Sequence, residues 1–184
     1  MSNKQIDKKI IELMKSESNH NRAFGLLVSE YGQRLYWHIR KMVISHSDTD
    51  DILQNTLLKA YQGFDSFRGD SSLFTWLYKI ATNETINFID KKKRHLTGSN
   101  NLYEHNMSLL QSENEISGDQ IQLKLQKAIQ QLPDKQRLVF NMKYFDDMKF
   151  SEMSKILDTS VGALKASYHH AVKKIEKYLL DNSL

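Results

Sequence analysis

The 184-residue chain contains no cysteine, one proline and only seven glycines. Without cysteine there can be no disulfide, no thiolate nucleophile and no thiolate metal site. Few prolines and glycines, against many Leu, Ile, Lys and Gln, leave little to break helices and favour an all-α protein. No apolar run approaches the roughly 20 residues of a membrane-spanning helix, so no membrane insertion is expected. The opening stretch MSNKQIDKKIIELMKSES lacks the apolar core of a signal peptide. A cytoplasmic location is the resulting expectation. The length allows one domain or two small ones.

What is present is an uneven distribution of charge. The formal net charge is +4. Residues 1–95 hold 15 Lys+Arg and 11 Asp+Glu, residues 96–119 hold none and 4, and residues 120–184 hold 11 and 7. Two basic lobes thus flank an acidic connector. Basic lobes suit a polyanion, and an acidic connector would stay off its phosphates.

Apolar periodicity predicts a short helix over 3–15, with Ile6, Ile10, Leu13 and Met14 on one face, and a longer one over 22–44. Ser47 and Asp48 are candidate caps of the next helix, with Asp50 and Asp51 in its first turn. Ile52, Thr56, Leu57 and Tyr61 form its inward face. Asp51, Gln54, Asn55 and Leu58 fall on a neighbouring, more exposed face that suits a protein partner.

The stretch 64–94, FDSFRGDSSLFTWLYKIATNETINFIDKKKR, is the densest in chemistry. Gly69, Asp70, Ser71 and Ser72 favour a turn, and Ser72 is placed to cap a helix over 73–93. Phe74, Trp76 and Tyr78 follow closely, and the stretch ends on Lys91, Lys92, Lys93 and Arg94. Aromatic faces stack on unpaired bases while cations track phosphates, so this mixture suits a nucleic acid whose bases have left the stack. Leu73, Trp76, Leu77 and Ile80 also recur at helical spacing, so Trp76 reads equally well as core. Lys91 to Arg94 read either as phosphate contacts or as a solvated helix end.

Residues 96–119, rich in Ser, Asn and Gly, read as a linker with a short turn near residues 107–110. A flexible segment of that length spans about 27 Å on average, and roughly 80 Å when extended. Beyond it, Ile121, Leu125, Ile129 and Leu132 share a helical face. Pro133 is placed to open a helix at its first position, running to 144. Residues 150–157, a turn at Asp158-Thr159, a cap at Ser160 and a helix over 161–180 form a helix-turn-helix pattern. That motif sets the first turns of its second helix in the DNA major groove. Gly162, Ala163, Lys165, Ala166 and His169 would face outward there. The adjacent His169 and His170 point about 100° apart on a helix, with no further ligand nearby, so no metal is expected.

The run FRGDSSLFTWLYKIATN followed by INFIDKKKR resembles the second conserved region of bacterial sigma factors, the promoter-recognition subunits of RNA polymerase. The similarity is to their extracytoplasmic-function group. Asp48-Thr49-Asp50-Asp51-Ile52-Leu53-Gln54-Asn55-Thr56-Leu57 resembles the family's polymerase-docking helix, with Asn55 where a carboxylate is usual. Leu132-Pro133 with Arg137, and Ser160-Val161-Gly162-Ala163-Leu164-Lys165-Ala166, resemble the family's fourth region. There the chain departs from the family: Ser167-Tyr168-His169-His170-Ala171-Val172 replaces a run bearing arginines, so the bidentate guanidinium fork is missing.

The resemblance implies two helical domains, region 2 over 1–95 and region 4 over 120–184, joined by the flexible linker 96–119. It implies core RNA polymerase as a partner of Asp48, Asp51, Gln54, Asn55 and Leu58. It implies recognition and melting of the minus-ten element by Phe67, Arg68, Trp76, Lys79, Asn83, Lys91, Lys92, Lys93 and Arg94, with Asn83 helping to hold a flipped base. Ser160, Val161, Gly162, Ala163, Lys165, Ala166, His169 and Lys173 would read the minus-thirty-five element as duplex. An anti-sigma partner is a family expectation, and neither cofactor nor catalysis is implied.

Two rivals stand beside this. An ordinary helix-turn-helix regulator would bind an operator without polymerase, but needs neither the aromatic-basic block nor the amide-bearing acidic helix. A nuclease or deaminase would need clustered carboxylates or metal ligands. The tight acidic group at Asp48, Asp50 and Asp51 is explained by helix capping.

Overall fold

The structure is a computed structural model, and the description covers residues 3–95, 106–108, 110 and 120–182. The chain enters through α1 (Asn3–Met14), turns at a short 3-10 segment (Glu17–Asn19) and continues into α2 (His20–Val43). Then follow α3 (His46–Gln62), a second 3-10 turn (Phe64–Ser66) and α4 (Leu73–His95). The second lobe holds α5 (Gln120–Gln130), α6 (Asp134–Tyr144), α7 (Phe150–Leu157) and α8 (Val161–Asp181). Among the described residues every long element is helical, as the scarcity of breakers predicts.

The caps explain where the helices begin. α3 is capped two to three residues earlier than the sequence suggests: the Ser45 hydroxyl accepts from the Asp48 N–H at 3.2 Å. Ser47 and Asp48 therefore lie inside the first turn, where Asp48 still favours the helix dipole. Ser72 caps α4, its hydroxyl accepting from the Thr75 N–H at 3.1 Å. Ser160 does the same for α8 through the Ala163 N–H. Pro133 sits one residue before its expected place, at the cap of α6 in extended backbone, where its fixed φ suits the entry. Gly69 takes φ +78°, a left-handed conformation that glycine adopts without Cβ strain.

One apolar cluster gathers Ile10 from α1, Leu27, Leu35 and Ile39 from α2, Ile52 from α3 and Leu73 and Leu77 from α4. It continues across the lobe boundary into Leu138, Val139 and Met142 of α6 and Met153 and Ile156 of α7. A second cluster, built on Ile129, Leu132, Phe140, Ala171 and Ile175, joins α5, α6 and α8. α6 contributes to both clusters: Phe140 faces its own lobe while Met142 faces the other. Ile121, expected on the inward face of α5, is 82 % exposed, because α5 begins beyond the reach of that second cluster. The linker expectation over 96–119 lies outside the described residues apart from 106–108 and 110. Those four positions are helical, and Leu110 is buried.

The two lobes pack directly against each other, α6 on α2 and α7 on α4. Asp146, just after α6, drives its carboxylate into the first lobe. There Oδ2 lies 3.1 Å from His38 Nδ1 and Oδ1 lies 2.5 Å from Lys41 Nζ. His38 is 1 % exposed, and its other nitrogen lies 3.0 Å from the Thr82 hydroxyl. Burial alone would raise the Asp146 carboxyl, but the hydrogen bonds and charges of His38 and Lys41 outweigh it and hold it below its usual value. The same burial, with the nearby Asp146 charge, pushes the Tyr78 phenol up to about 12. Asn141 closes the contact by donating to the Lys41 carbonyl at 3.1 Å.

Candidate nucleic-acid interface

α3 buries Thr49, Ile52, Thr56 and Ala60, leaving Asp51, Gln54, Asn55 and Leu58 in solvent on its outer face. Leu58 is 52 % exposed, a large apolar side chain ringed by polar neighbours. Asp48 differs from the other four. It is half-buried and accepts from Lys92 Nζ at 2.6 Å, tying α3 to α4.

At the opposite end of α3, the turn preceding α4 forms a concave site of about 290 Å³ lined by Ser66, Phe67, Arg68, Gly69, Asp70, Ser71 and Trp76. Phe67 and Trp76 form its aromatic wall, with ring centroids 5.0 Å apart. Trp76 is at once a core residue and a wall: half-buried, it leans on the apolar cluster while one edge faces the site. Gly63 permits this position, since a Cβ built there would lie 3.0 Å from Trp76 Cζ2. Arg68 is exposed at the rim. The site has the dimensions and chemistry for a flat aromatic ring with a neighbouring anion: stacking surface, hydroxyl groups and one guanidinium.

Along α4 the expected residues separate. Asn83 is exposed two turns beyond Trp76, roughly 10 Å further along the axis, and does not line the site. Lys79 donates to Asp158 of the second lobe at 2.7 Å. At the basic end Lys91 and Arg94 are exposed, and the Arg94 guanidinium donates back to the Asp90 carbonyl. Lys92 is paired with Asp48, and Lys93 with Asp134 at the start of α6. The four consecutive cations therefore divide into two that face solvent and two held by carboxylates.

In the second lobe, α7 and α8 are joined through Asp158, which adopts left-handed backbone at φ 49° and closes the tight turn. Ser160, Val161, Gly162, Ala163, Lys165, Ala166, His169 and Lys173 are all exposed on α8. Leu164 and Ala171 point inward and fix that face outward. Arg137 is not part of this surface. It is buried between Gln130 Oε1 at 3.0 Å and Asp134 Oδ1 at 2.9 Å, and burial lowers its pKa. It ties α5 to α6.

Sequence patterns alone do not reveal the small lining residues Ser66, Gly69, Asp70 and Ser71. Their only signal is turn composition after an aromatic. The roles of Asp134, Asp146 and Asp158 at the lobe boundary have no local signal at all.

Comparison with known proteins agrees with this architecture. Residues 27–95 match the family described as Sigma-70 region 2, and residues 122–175 match Sigma-70, region 4. The ECF RNA polymerase sigma factor SigW of Bacillus subtilis is 30% identical over 96% of this chain and 97% of its own length. The ECF RNA polymerase sigma-E factor of Escherichia coli K12 is 28% identical over 96% of this chain and 95% of its own. Among solved structures, CnrH in complex with the cytosolic domain of CnrY superposes with a TM-score of 0.71 at 22% identity, covering 97% of this chain and 99% of that one. The sigma factor RpoE in complex with the anti-sigma factor NepR from Bartonella quintana gives 0.66 at 19% identity, over 87% and 98%. Among the described residues no helix is long and apolar enough to cross a membrane. With both conserved regions in order along a helical chain, and a relative at 30% identity over almost its full length, the chain belongs to the extracytoplasmic-function sigma factors, the transcription initiation factors that direct RNA polymerase to promoters.

Proposed function

We propose a division of labour along the chain, with residues 1–95 docking on polymerase and opening DNA and residues 120–184 holding the duplex upstream. The outer face of α3, Asp51, Gln54, Asn55 and Leu58, binds core polymerase. Leu58 supplies the apolar anchor and the surrounding polar groups supply orientation. Asn55 in place of the usual carboxylate lowers the charge of that contact. The exposed first turns of α8 enter the major groove at the minus-thirty-five element, with Lys165 as the nearest cation to the base edges.

The observation that carries this proposal is the aromatic-walled site between the 66–71 turn and Trp76, next to a basic helix. A base that leaves the duplex loses stacking worth a few kcal/mol. Stacking on Phe67 and Trp76, with Arg68 on the adjoining phosphate, offsets that loss only for the melted strand. The site thus favours open over closed DNA. Asn83 stands two turns away and contacts a neighbouring nucleotide rather than the one in the site. Lys91 and Arg94, exposed at the end of α4, neutralise backbone phosphates, and Lys92 and Lys93 join them where DNA displaces Asp48 and Asp134. The chain works in the cytoplasm and performs no catalysis itself, nucleotide chemistry belonging to the polymerase. The two solved relatives were captured with the cytosolic domain of CnrY and the anti-sigma factor NepR. An inhibitor of that kind is the expected regulatory partner here.

The test is transcription in vitro with core polymerase, this protein and genomic fragments. Discrete starts that depend on the protein, and disappear when Lys91, Lys92, Lys93 and Arg94 become alanine, support the proposal. DNA binding without polymerase association or new starts would instead make the protein an operator-binding regulator.

A further inference from the structure

A cavity of about 300 Å³ lies beside the C-terminal end of α2, lined by none of the residues assigned above to DNA or to polymerase. Its walls come from α2 and the start of α3, and from α5, α6 and the residue after α6. Ile44 and Ile129, both buried, belong to its apolar lining. Trp37 and Phe145 add two aromatic side chains that are 50 % and 43 % exposed. Small-molecule sites run from about 300 to 1,000 Å³ and combine apolar walls with a few polar groups. A cavity at the lower end of that range takes one or two fused rings. A flat aromatic occupant would remove both exposed rings from water, the main driving force for such binding.

The polar groups narrow the chemistry. Asn141 lines the cavity and is 2 % exposed. Its amide nitrogen donates to the Lys41 carbonyl at 3.1 Å and to the Met42 sulfur at 3.4 Å. Its Oδ1 is buried with no hydrogen-bond partner. An unpaired buried acceptor is costly, and an N–H or O–H donor brought by an occupant removes that cost. Charge supplies a second filter. Arg40, Lys41 and His46 line the cavity, and no carboxylate is among the lining residues. Asp146 offsets Lys41 from outside the lining. A wall of this kind disfavours a cation and admits a neutral or anionic molecule.

We propose that this cavity is a binding site for a small aromatic molecule of one or two rings that carries an N–H or O–H donor and no positive charge. Trp37 and Phe145 contact its ring, and Asn141 Oδ1 accepts from its donor. α2 belongs to the first lobe and α5 and α6 to the second, so the occupant touches both and stabilises the folded chain in proportion to its concentration.

The test uses the full chain and four related probes: indole, 1-methylindole, indole-3-acetate and tryptamine. Titration calorimetry gives stoichiometry and affinity, and thermal unfolding gives the accompanying rise in Tm. Indole should bind one to one and at least about tenfold tighter than 1-methylindole, which has the same ring system without the donor. Indole-3-acetate should bind at least as tightly as indole, and the cation tryptamine at least about tenfold more weakly. Trp37→Ala removes an exposed ring and should weaken indole about tenfold. Gln126→Glu places a carboxylate of matched size on the wall, and should weaken indole-3-acetate while leaving indole unchanged. Asn141→Leu should abolish the preference for indole over 1-methylindole. Because Asn141 also bonds the Lys41 carbonyl, that variant is open to a folding defect, and the comparison of probes on the parent protein decides the point without it. Absence of saturable indole binding overturns the proposal. Equal affinity for indole and 1-methylindole, or binding indifferent to Trp37→Ala, overturns it as well.

Discussion

Gly63 ends α3 with ordinary backbone angles, φ −88° and ψ 1°, so alanine there meets no conformational strain. Its constraint is spatial. A Cβ would lie 3.0 Å from Trp76 Cζ2 and 3.1 Å from the Lys59 carbonyl oxygen, which already accepts from the Gly63 N–H at 2.9 Å. Carbon atoms prefer about 3.5–4.0 Å, so the indole must retreat by about half an ångström, while the helix backbone has little freedom to yield. Reduced freedom in the unfolded chain would stabilise Gly63→Ala by about 0.4–1 kcal/mol. Overpacking costs about 1–3 kcal/mol. The net expectation is a destabilisation of about 1–2 kcal/mol, or a Tm lower by about 2–8 °C. Gly25 is the matched control. It lies on the exposed side of α2 with nothing within 4 Å of a built Cβ. Gly25→Ala should gain about 1 kcal/mol from helix propensity, raising Tm by about 2–4 °C. Calorimetry measures both. The protein has only two tryptophans, so a Trp37→Phe background leaves Trp76 as the sole emitter. Its spectrum should shift in Gly63→Ala and stay constant in Gly25→Ala. A Gly63→Ala protein as stable as its parent, with unchanged Trp76 emission, would refute the packing argument and the positioning of the aromatic wall with it.

Leu58→Asp should weaken association with core polymerase at least tenfold while moving stability by less than about 0.5 kcal/mol, as expected of an exposed position. Surface plasmon resonance and urea unfolding check the two halves. Replacing Lys91 and Arg94 by alanine should flatten the dependence of log K on log salt for holoenzyme on duplex DNA by about 0.9 for each phosphate that is no longer neutralised. An unchanged slope would remove them from the interface. Asp146, whose folded carboxyl titrates below its usual value, stabilises the protein fully above its unfolded value near 3.9, and that contribution is lost as pH falls through the lower folded value. The stability gap between the parent and Asp146→Asn should therefore be complete at pH 7 and close toward pH 2. A gap of constant size would mean that the ionised carboxylate facing His38, Lys41 and Tyr78 is not the stabilising species.

Helix positions are readable from sequence because the relevant forces are local. Ser72 and Ser160 stand directly before an apolar period, and both cap as expected. The start of α3 is harder to place, and lies two to three residues early, because Ser45 stands within four residues of the expected caps Ser47 and Asp48. Which of them caps depends on where α2 lets the chain turn, at Ile44 with φ 65°. The exposed faces of α3 and α8 follow from periodicity alone. The pairing of Lys79, Lys92 and Lys93 does not. Their partners lie 79, 44 and 41 residues away, and no spacing rule spans such distances. Trp76 resists a single reading because it serves two roles, packing on the cluster with one edge and walling the site with the other. The seam between the lobes is illegible for a similar reason. Leu138, Val139 and Met142 look like the inner face of any helix, and nothing in their order says which lobe they face.

That seam has a composition that bears on how the molecule stays dispersed in water. An apolar joint, once opened, would leave two adhesive surfaces and invite association between copies. Here Met142, Met153 and Ile156 are bordered by Lys79, Asp158, Lys93, Asp134, Lys41 and Asp146. Asp146 is largely buried between His38 and Lys41, but Lys79–Asp158 and Lys93–Asp134 are partly exposed pairs, which contribute only about 0–1 kcal/mol. Screening lengths of about 8 Å at physiological salt weaken them further. The border of charge thus keeps the apolar part of the seam narrow, so that little of it would be left to adhere to another copy if the lobes came apart.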